Sequence, residues 1–157
     1  IILLFFILTT IDTSQNGLFV QERIGRYGKK FKIYKLRTIK SDRFGNPIIS
    51  FLGNFLRKSK IDEFPQLYNV LINDMSFVGP RPDVAGYYDV LEGQDRKLLE
   101  LKPGITGWAQ INGRDEISIA QKVQLEQEYL YKKSFLLDVE IIIKTFTNVL
   151  FSKGVSH

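Results

Sequence analysis

The chain has no cysteine, and its single histidine is the last of its 157 residues, His157. The first absence excludes disulfides and thiolate zinc sites. The second leaves no pair of histidines for a metal cluster and no internal histidine for a nucleophilic triad. Acid–base and nucleophilic chemistry therefore falls to Asp, Glu, Lys, Tyr or Ser. There is also no apolar run of the ~20 residues that a membrane-spanning helix requires. The opening Ile1-Ile2-Leu3-Leu4-Phe5-Phe6-Ile7-Leu8 is much shorter. It lacks the basic start and small-residue cleavage site of a signal peptide. No internal repeat or low-complexity tract interrupts the chain.

What is present describes a folded domain. Hydrophobic residues make up 44% and charged residues 25%, enough for one domain with a core. Twenty-two basic against 17 acidic residues give a net charge of +5, which favours an anionic partner. The first residue is Ile rather than Met, and large apolar side chains crowd the free end. A buried element, an interfacial element and the tail of a membrane segment all fit; solubility argues for the last.

Taken in order, Thr9 to Gly17 reads as a polar connection ending in an Asn-Gly turn. Leu18 to Ile24 and Phe31 to Thr38 read as strands of a hairpin around Gly25-Arg26-Tyr27-Gly28. Alternation puts Phe31, Ile33, Lys35 and Arg37 on one face. By themselves the two cations read as solvated edge charges. Ser41 to Pro47 reads as a loop and Ile48 to Arg57 as a helix. Further helical stretches are expected from Asp83 to Glu92, Gln94 to Leu101, Ser118 to Lys133 and Leu136 to Ser152, the last with Gly154 as C-cap. The apolar arc of that last helix is wide enough for burial or for a membrane interface. Arg81 is held between Pro80 and Pro82 in a stiff loop. The glycine-rich run from Gly104 to Arg114 lets backbone approach a ligand, with Trp108 as either a stacking surface or a core residue.

The most informative stretch is Arg57-Lys58-Ser59-Lys60-Ile61-Asp62-Glu63-Phe64-Pro65-Gln66-Leu67. Pro65 suits the first turn of a helix, and Leu67, Val70 and Leu71 continue one to about Asn73. Asp62 or Glu63 then falls near the N-cap, where free N–H groups stabilise a carboxylate and also attract phosphate. The pair can be a cap, a nucleophile or a metal ligand.

Together these segments resemble the bacterial sugar transferases, the monotopic phosphoglycosyl transferases that act on undecaprenyl phosphate. The resemblance rests on Gln21-Glu22-Arg23-Ile24-Gly25, Tyr34-Lys35-Leu36-Arg37-Thr38, Asp62 to Leu67, Asn69-Val70-Leu71, Asp74 to Pro82, Lys102 to Arg114, and Ser134 to Asp138. These cover nearly the whole chain, in order. The resemblance implies transfer of a sugar 1-phosphate from a UDP-sugar to a polyprenyl phosphate, with loss of UMP. It implies Asp62 as the nucleophile of a covalent phosphosugar intermediate, Mg²⁺ as cofactor with Asp62 among its ligands, and Glu63 as metal-binding helper or proton acceptor. By the same resemblance Lys35, Arg81 and Arg114 bind phosphate. Arg57 binds phosphate or orients the two carboxylates, and Asp138 and Glu126 are supporting residues. Glu126 stands where the family often has aspartate, and the segment from Thr38 to Arg57 is shorter than usual.

The expected architecture is an α+β, mostly helical single domain with a small β-hairpin and amphipathic membrane-interface helices. Residues 1–12 would be the remnant of a membrane-associated segment and 13–157 the catalytic domain. Inner-membrane lipids are the expected partners, at the cytoplasmic face of a bacterial inner membrane. Nucleic acid is not, because the cations punctuate separate loops rather than one sheet face.

Overall fold

The computed structural model describes residues 1–113 and 117–150. They are mixed α and β, rich in helix, with three two-stranded sheets where one hairpin is expected. The chain forms two compact units, Ile1–Gln21 with Lys32–Asn69, and Glu22–Phe31 with Val70–His157. Residues 114–116 and 151–157 lie outside the described residues, and with them Arg114 and the expected cap Gly154.

In the first unit, helix α1 spans Ile2–Thr13 and so takes in the threonines of the expected polar connection. Thr9, Thr10 and Thr13 return their hydroxyls to the carbonyls of Phe5, Phe6 and Thr9 at 2.7–2.8 Å, which satisfies them within the helix. The chain leaves at Ser14, in the left-handed region with φ 54°. Strands β1 (Leu18–Ile24) and β2 (Lys30–Leu36) form the expected hairpin. A second, smaller hairpin pairs β3 (Ile39–Ser41) with β4 (Pro47–Ile49), in the register Ile39↔Ile49 and Ser41↔Pro47. It replaces the expected loop and the start of the expected helix. The cause is Asp42, whose Oδ1 accepts from the backbone N–H groups of Phe44 and Asn46, both at 2.8 Å, and so closes the turn.

Helix α2 therefore begins later, at Phe51–Ser59, with Ser50 Oγ capping Gly53 N at 2.9 Å. A Cβ on Gly53 would sit 2.3 Å from the Thr38 carbonyl, so the helix approaches that backbone as only glycine allows. Lys60 turns left-handed (φ 61°) and ends α2. Ile61–Glu63 then makes a separate 3₁₀ turn before the short helix α3, Gln66–Leu71. The acidic pair is thus not the N-cap of a helix running to Asn73. Asn69 is fully buried and ties α3 to β2, donating to the Lys32 carbonyl at 2.7 Å and accepting from Tyr34 N at 3.3 Å. Asn69→Ala strands two backbone groups at once and is expected to cost about 2–3 kcal/mol, measured by denaturant unfolding.

The second unit is built on β5 (Ser76–Val78) and β6 (Gly104–Thr106), paired in parallel with Ser76↔Gly104 and Val78↔Thr106. A Cβ on Gly79 would lie 2.2 Å from the Lys102 carbonyl, which explains glycine where the chain leaves β5. Only 3₁₀ segments, Tyr88–Val90 and Asp95–Glu100, stand where two helices are expected. Asp89 Oδ1 takes the N–H groups of Gly86 and Tyr87, at 2.7 and 3.1 Å, and competes with helical pairing there. Helix α4 is Trp108–Ile111; α5 is Ile119–Lys132, opened by a Ser118/Gln121 capping box; α6 is Phe135–Leu150. Val78, Leu101, Tyr129 and Ile141 form one buried cluster with Trp108 packed against it; Ile24, Tyr88, Leu98 and Leu99 form another. Among the described residues no helix is long and apolar enough to cross a membrane. Helix α6 does leave Phe135, Leu136, Ile143, Phe146 and Leu150 exposed, within an arc of roughly 100° at 100° per residue.

Candidate active site

The first unit brings together four of the residues singled out by sequence. The 3₁₀ turn after α2 carries Asp62 and Glu63, which are only 8% and 7% exposed. Adjacent carboxylates are ordinarily solvated, so their burial is the first sign of a site. From β2, Lys35 reaches across and donates from Nζ to Glu63 Oε1 at 2.9 Å. Its side chain is 18% exposed and that of Glu63 9%, so water screens the pair little. Lys35 is thus no solvated edge charge. Arg37, on the same face, is structural: Nε donates to the Asn16 carbonyl at 2.7 Å and the guanidinium lies 5.6 Å over the Phe19 ring.

Asp62 differs from its neighbour. Its Oδ1 is buried with no hydrogen-bond partner among the described residues. Burial, and next the negative charge of Glu63, push its carboxyl up to about 6 from the ordinary 3.8. Lys35, Lys60 and Arg57 act in the opposite direction and limit the rise. The carboxylate is therefore desolvated, has one oxygen without a hydrogen-bond partner among the described residues, and lies within the field of three cations. Perturbed, buried carboxylates of this kind are candidates for chemistry, and cations beside one are compatible with an anionic ligand. Gln66, one helical turn on, is also buried and leaves Nε2 without a partner among the described residues. Two buried polar atoms without partners, four residues apart in the chain, call for an explanation in a folded protein. Gln66 and Asn69 carry no charge and were not singled out as site residues by sequence. The signal was their spacing, since both fall on the buried side of α3.

The two carboxylates could supply oxygen ligands to a metal. Asp62 offers an unengaged hard oxygen, with Glu63 beside it. Among the described residues no group of three or more Asp, Glu, His or Cys could hold an ion alone. The site suits Mg²⁺, which is commonly held by one or two carboxylates and completed by water and substrate phosphates.

The other expected residues lie in the second unit, except Arg114, which lies outside the described residues. Arg81 follows two residues fixed by backbone hydrogen bonds, from Gly79 N to the Thr106 carbonyl (2.9 Å) and from Gly104 N to the Pro80 carbonyl (2.8 Å). Asp138 Oδ1 accepts the Tyr129 hydroxyl at 2.7 Å, which ties α5 to α6. Glu126 is fully buried in α5, and both its carboxyl oxygens lack partners among the described residues. Burial pushes it up to about 8. Trp108 is a packing residue: its indole N–H donates to Glu128 Oε2 at 3.1 Å, and Lys144 lies 5.6 Å from its ring.

A model of the family described as bacterial sugar transferase matches residues 1–152. The chain is 41% identical over 165 residues to a Bacillus subtilis protein named an uncharacterized sugar transferase, EpsL, covering 100% of this chain and 82% of that one. It is 38% identical over 162 residues to the UDP-glucose:undecaprenyl-phosphate glucose-1-phosphate transferase of Escherichia coli, covering 88% of this chain and 34% of that protein. It is 31% identical over 163 residues to the UDP-N-acetylgalactosamine-undecaprenyl-phosphate N-acetylgalactosaminephosphotransferase of Aeromonas hydrophila, covering 94% of this chain and 38% of that protein. The chain thus spans most of the first relative and little more than a third of the other two.

Proposed function

The chain belongs to the bacterial sugar transferase family, and we propose that it transfers a sugar 1-phosphate from a UDP-sugar to a polyprenyl phosphate, with Asp62 as nucleophile. The observation that carries this reading is the buried, unpartnered Oδ1 of Asp62 amid Lys35, Lys60 and Arg57. A carboxylate oxygen attacks the β-phosphorus of the donor. An O–P bond to Asp62 forms, the P–O bond to the bridging oxygen breaks, and UMP departs with that oxygen. The phosphate of the polyprenyl acceptor then attacks the same phosphorus. The Asp62–phosphorus bond breaks, the carboxylate is restored, and a polyprenyl-diphosphate sugar is released. This product would begin assembly of an exopolysaccharide, capsule, O-antigen or glycoprotein glycan.

Each residue has a physical task. Lys35 holds Glu63 with one of its three donors and has others for phosphate oxygen. Arg57 and Lys60 keep Asp62 ionisable near neutral pH against the cost of burial. Asp62, with Glu63 beside it, would hold Mg²⁺, whose chemistry is to neutralise charge on the diphosphate. Arg81 and Arg114 would bind phosphate. The exposed apolar residues of α1 and α6 would rest on lipid at the cytoplasmic face of the inner membrane, where a polyprenyl acceptor is reached.

The reading is tested by UMP release from a panel of UDP-sugars with polyprenyl phosphate and Mg²⁺. Release from at least one donor supports it; none from any donor removes it. The pH dependence is a separate test. A nucleophile with a free-enzyme value of about 6 must lose activity as acid protonates it. On the acid side kcat/KM is expected to fall about tenfold per pH unit, and activity that does not fall on acidification would contradict the assignment.

A further inference from the structure

The β3–β4 hairpin of the first unit carries four exposed large apolar side chains, Ile39, Phe44, Ile48 and Ile49. One such residue on a surface is ordinary, but four on a hairpin of two three-residue strands leave it without an apolar cover. Ile39 and Ile49 stand opposite each other in the register and so share a face. Phe44 lies at the tip and is 89% exposed, with the exposed Arg43 beside it in the chain. The backbone under them is preorganised. Asp42 N donates to the Asn46 carbonyl at 2.8 Å and Gly45 N to the Asp42 carbonyl at 3.1 Å, besides the two bonds that Asp42 Oδ1 accepts. Gly45 supplies the left-handed backbone of the turn, with φ 85°. Presenting Phe44 to a partner therefore requires little further ordering of the chain.

The base of the hairpin is fastened to α1. Asp12, in the last turn of that helix, accepts from Lys40 Nζ on β3 at 3.3 Å. Its other oxygen accepts from Ser50 Oγ, the residue after β4. One carboxylate thus holds both ends of the hairpin to a helix that itself exposes Leu4, Ile7, Leu8 and Ile11.

Charge indicates what covers this surface. The first unit has eight basic residues and four acidic ones. Asp62 and Glu63 are buried, Asp12 is engaged by Lys40 and Ser50, and Asp42 is engaged by its own turn. Lys32, Arg43 and Lys58 are exposed, whereas no acid of this unit is exposed among the described residues. An apolar tip on a surface with outward cations and no outward acid fits an anionic lipid bilayer. Apolar side chains enter the acyl boundary, and an arginine beside them stays at the level of the headgroup phosphates.

We propose that the β3–β4 hairpin docks on an anionic bilayer surface, with Phe44 inserted at the acyl boundary and Arg43 at the phosphates. This docking is independent of the transferase reading, which UMP release tests by itself. Trp108 is the only tryptophan of the chain, so wild type is the background against which one added indole is read. The full chain carrying Phe44→Trp is mixed with vesicles of equal parts phosphatidylcholine and phosphatidylglycerol, with plain or brominated acyl chains. The emission added by the substitution is expected to shift to the blue, to lose at least half its intensity to brominated lipid, and to be shielded from iodide. An added indole that stays open to iodide and unquenched by brominated lipid would overturn the proposal, and so would a chain that binds no vesicle. Shielding from iodide without lipid, in a protein that light scattering shows to be a dimer, would also overturn it, by giving the hairpin to a second copy.

Partition into the same vesicles tests the two side chains separately. Phe44→Ser is expected to weaken it about tenfold. Arg43→Gln is expected to weaken it about fivefold, and to change partition into phosphatidylcholine alone by less than about twofold. Unchanged partition of Phe44→Ser would overturn the insertion, and unchanged partition of Arg43→Gln into the mixed vesicles would overturn the headgroup contact.

Discussion

Asp62→Asn is expected to abolish transfer, by about 10³-fold or more in kcat, and to make the fold more stable at neutral pH. The two effects have one cause. Burial and Glu63 raise the Asp62 carboxyl to about 6, against an ordinary 3.8. Between those values the folded protein holds a proton that the unfolded chain has released, so stability falls as pH rises through the window. Above about pH 6 the full cost is present, roughly 3 kcal/mol for a shift of this size. Asparagine keeps the shape without the charge and recovers much of that cost. Denaturant unfolding at pH 7.5 and pH 4 reads the effect. The variant should be more stable than wild type at pH 7.5, and the difference should shrink towards pH 4. A carboxylate retained only for the fold would give the opposite result, an Asn variant less stable at neutral pH.

Lys35→Met carries the second large effect. Glu63 would keep its buried charge and lose the ammonium 2.9 Å away, which is expected to cost about 3 kcal/mol. Lys35 also holds the Asp62 value down, so its loss should move the acid limb of kcat/KM to higher pH. Activity at pH 7 is expected to fall about 10²-fold, and raising the pH should recover part of it. The double variant Lys35→Met/Glu63→Gln separates the two roles, because it removes both charges of the pair. Its stability should return close to wild type while its activity stays low. Recovery of both would make the ion pair purely structural.

Much of this was legible in the sequence, for reasons that differ by element. The β1–β2 hairpin, α5 with its Ser118 cap, and α6 were readable because period and capping residues agreed. The β3–β4 hairpin was not, because it depends on one side chain, Asp42, closing a turn. Asp83 to Leu101 carries helical spacing, yet Asp89 captures the local N–H groups and only 3₁₀ turns form. At the candidate site, motif order pointed to Asp62, Glu63 and Lys35; the fold buries the two acids and pairs Lys35 with Glu63. Their physics was not readable: spacing cannot show that Lys60 turns left-handed, nor that Asp62 Oδ1 is left without a partner among the described residues. Gln66 and Asn69 carry no charge to draw notice, and their burial is a product of tertiary packing.

The central claim is that Asp62 forms the covalent intermediate. Peptide mass spectrometry of the protein quenched after incubation with a UDP-sugar donor and Mg²⁺, without polyprenyl phosphate, tests it most directly. A phosphosugar on the peptide containing Asp62, absent from the Asp62→Asn protein and chased away by added polyprenyl phosphate, is the expected result. An adduct on any other residue, or UMP release at full rate from Asp62→Asn, would contradict it.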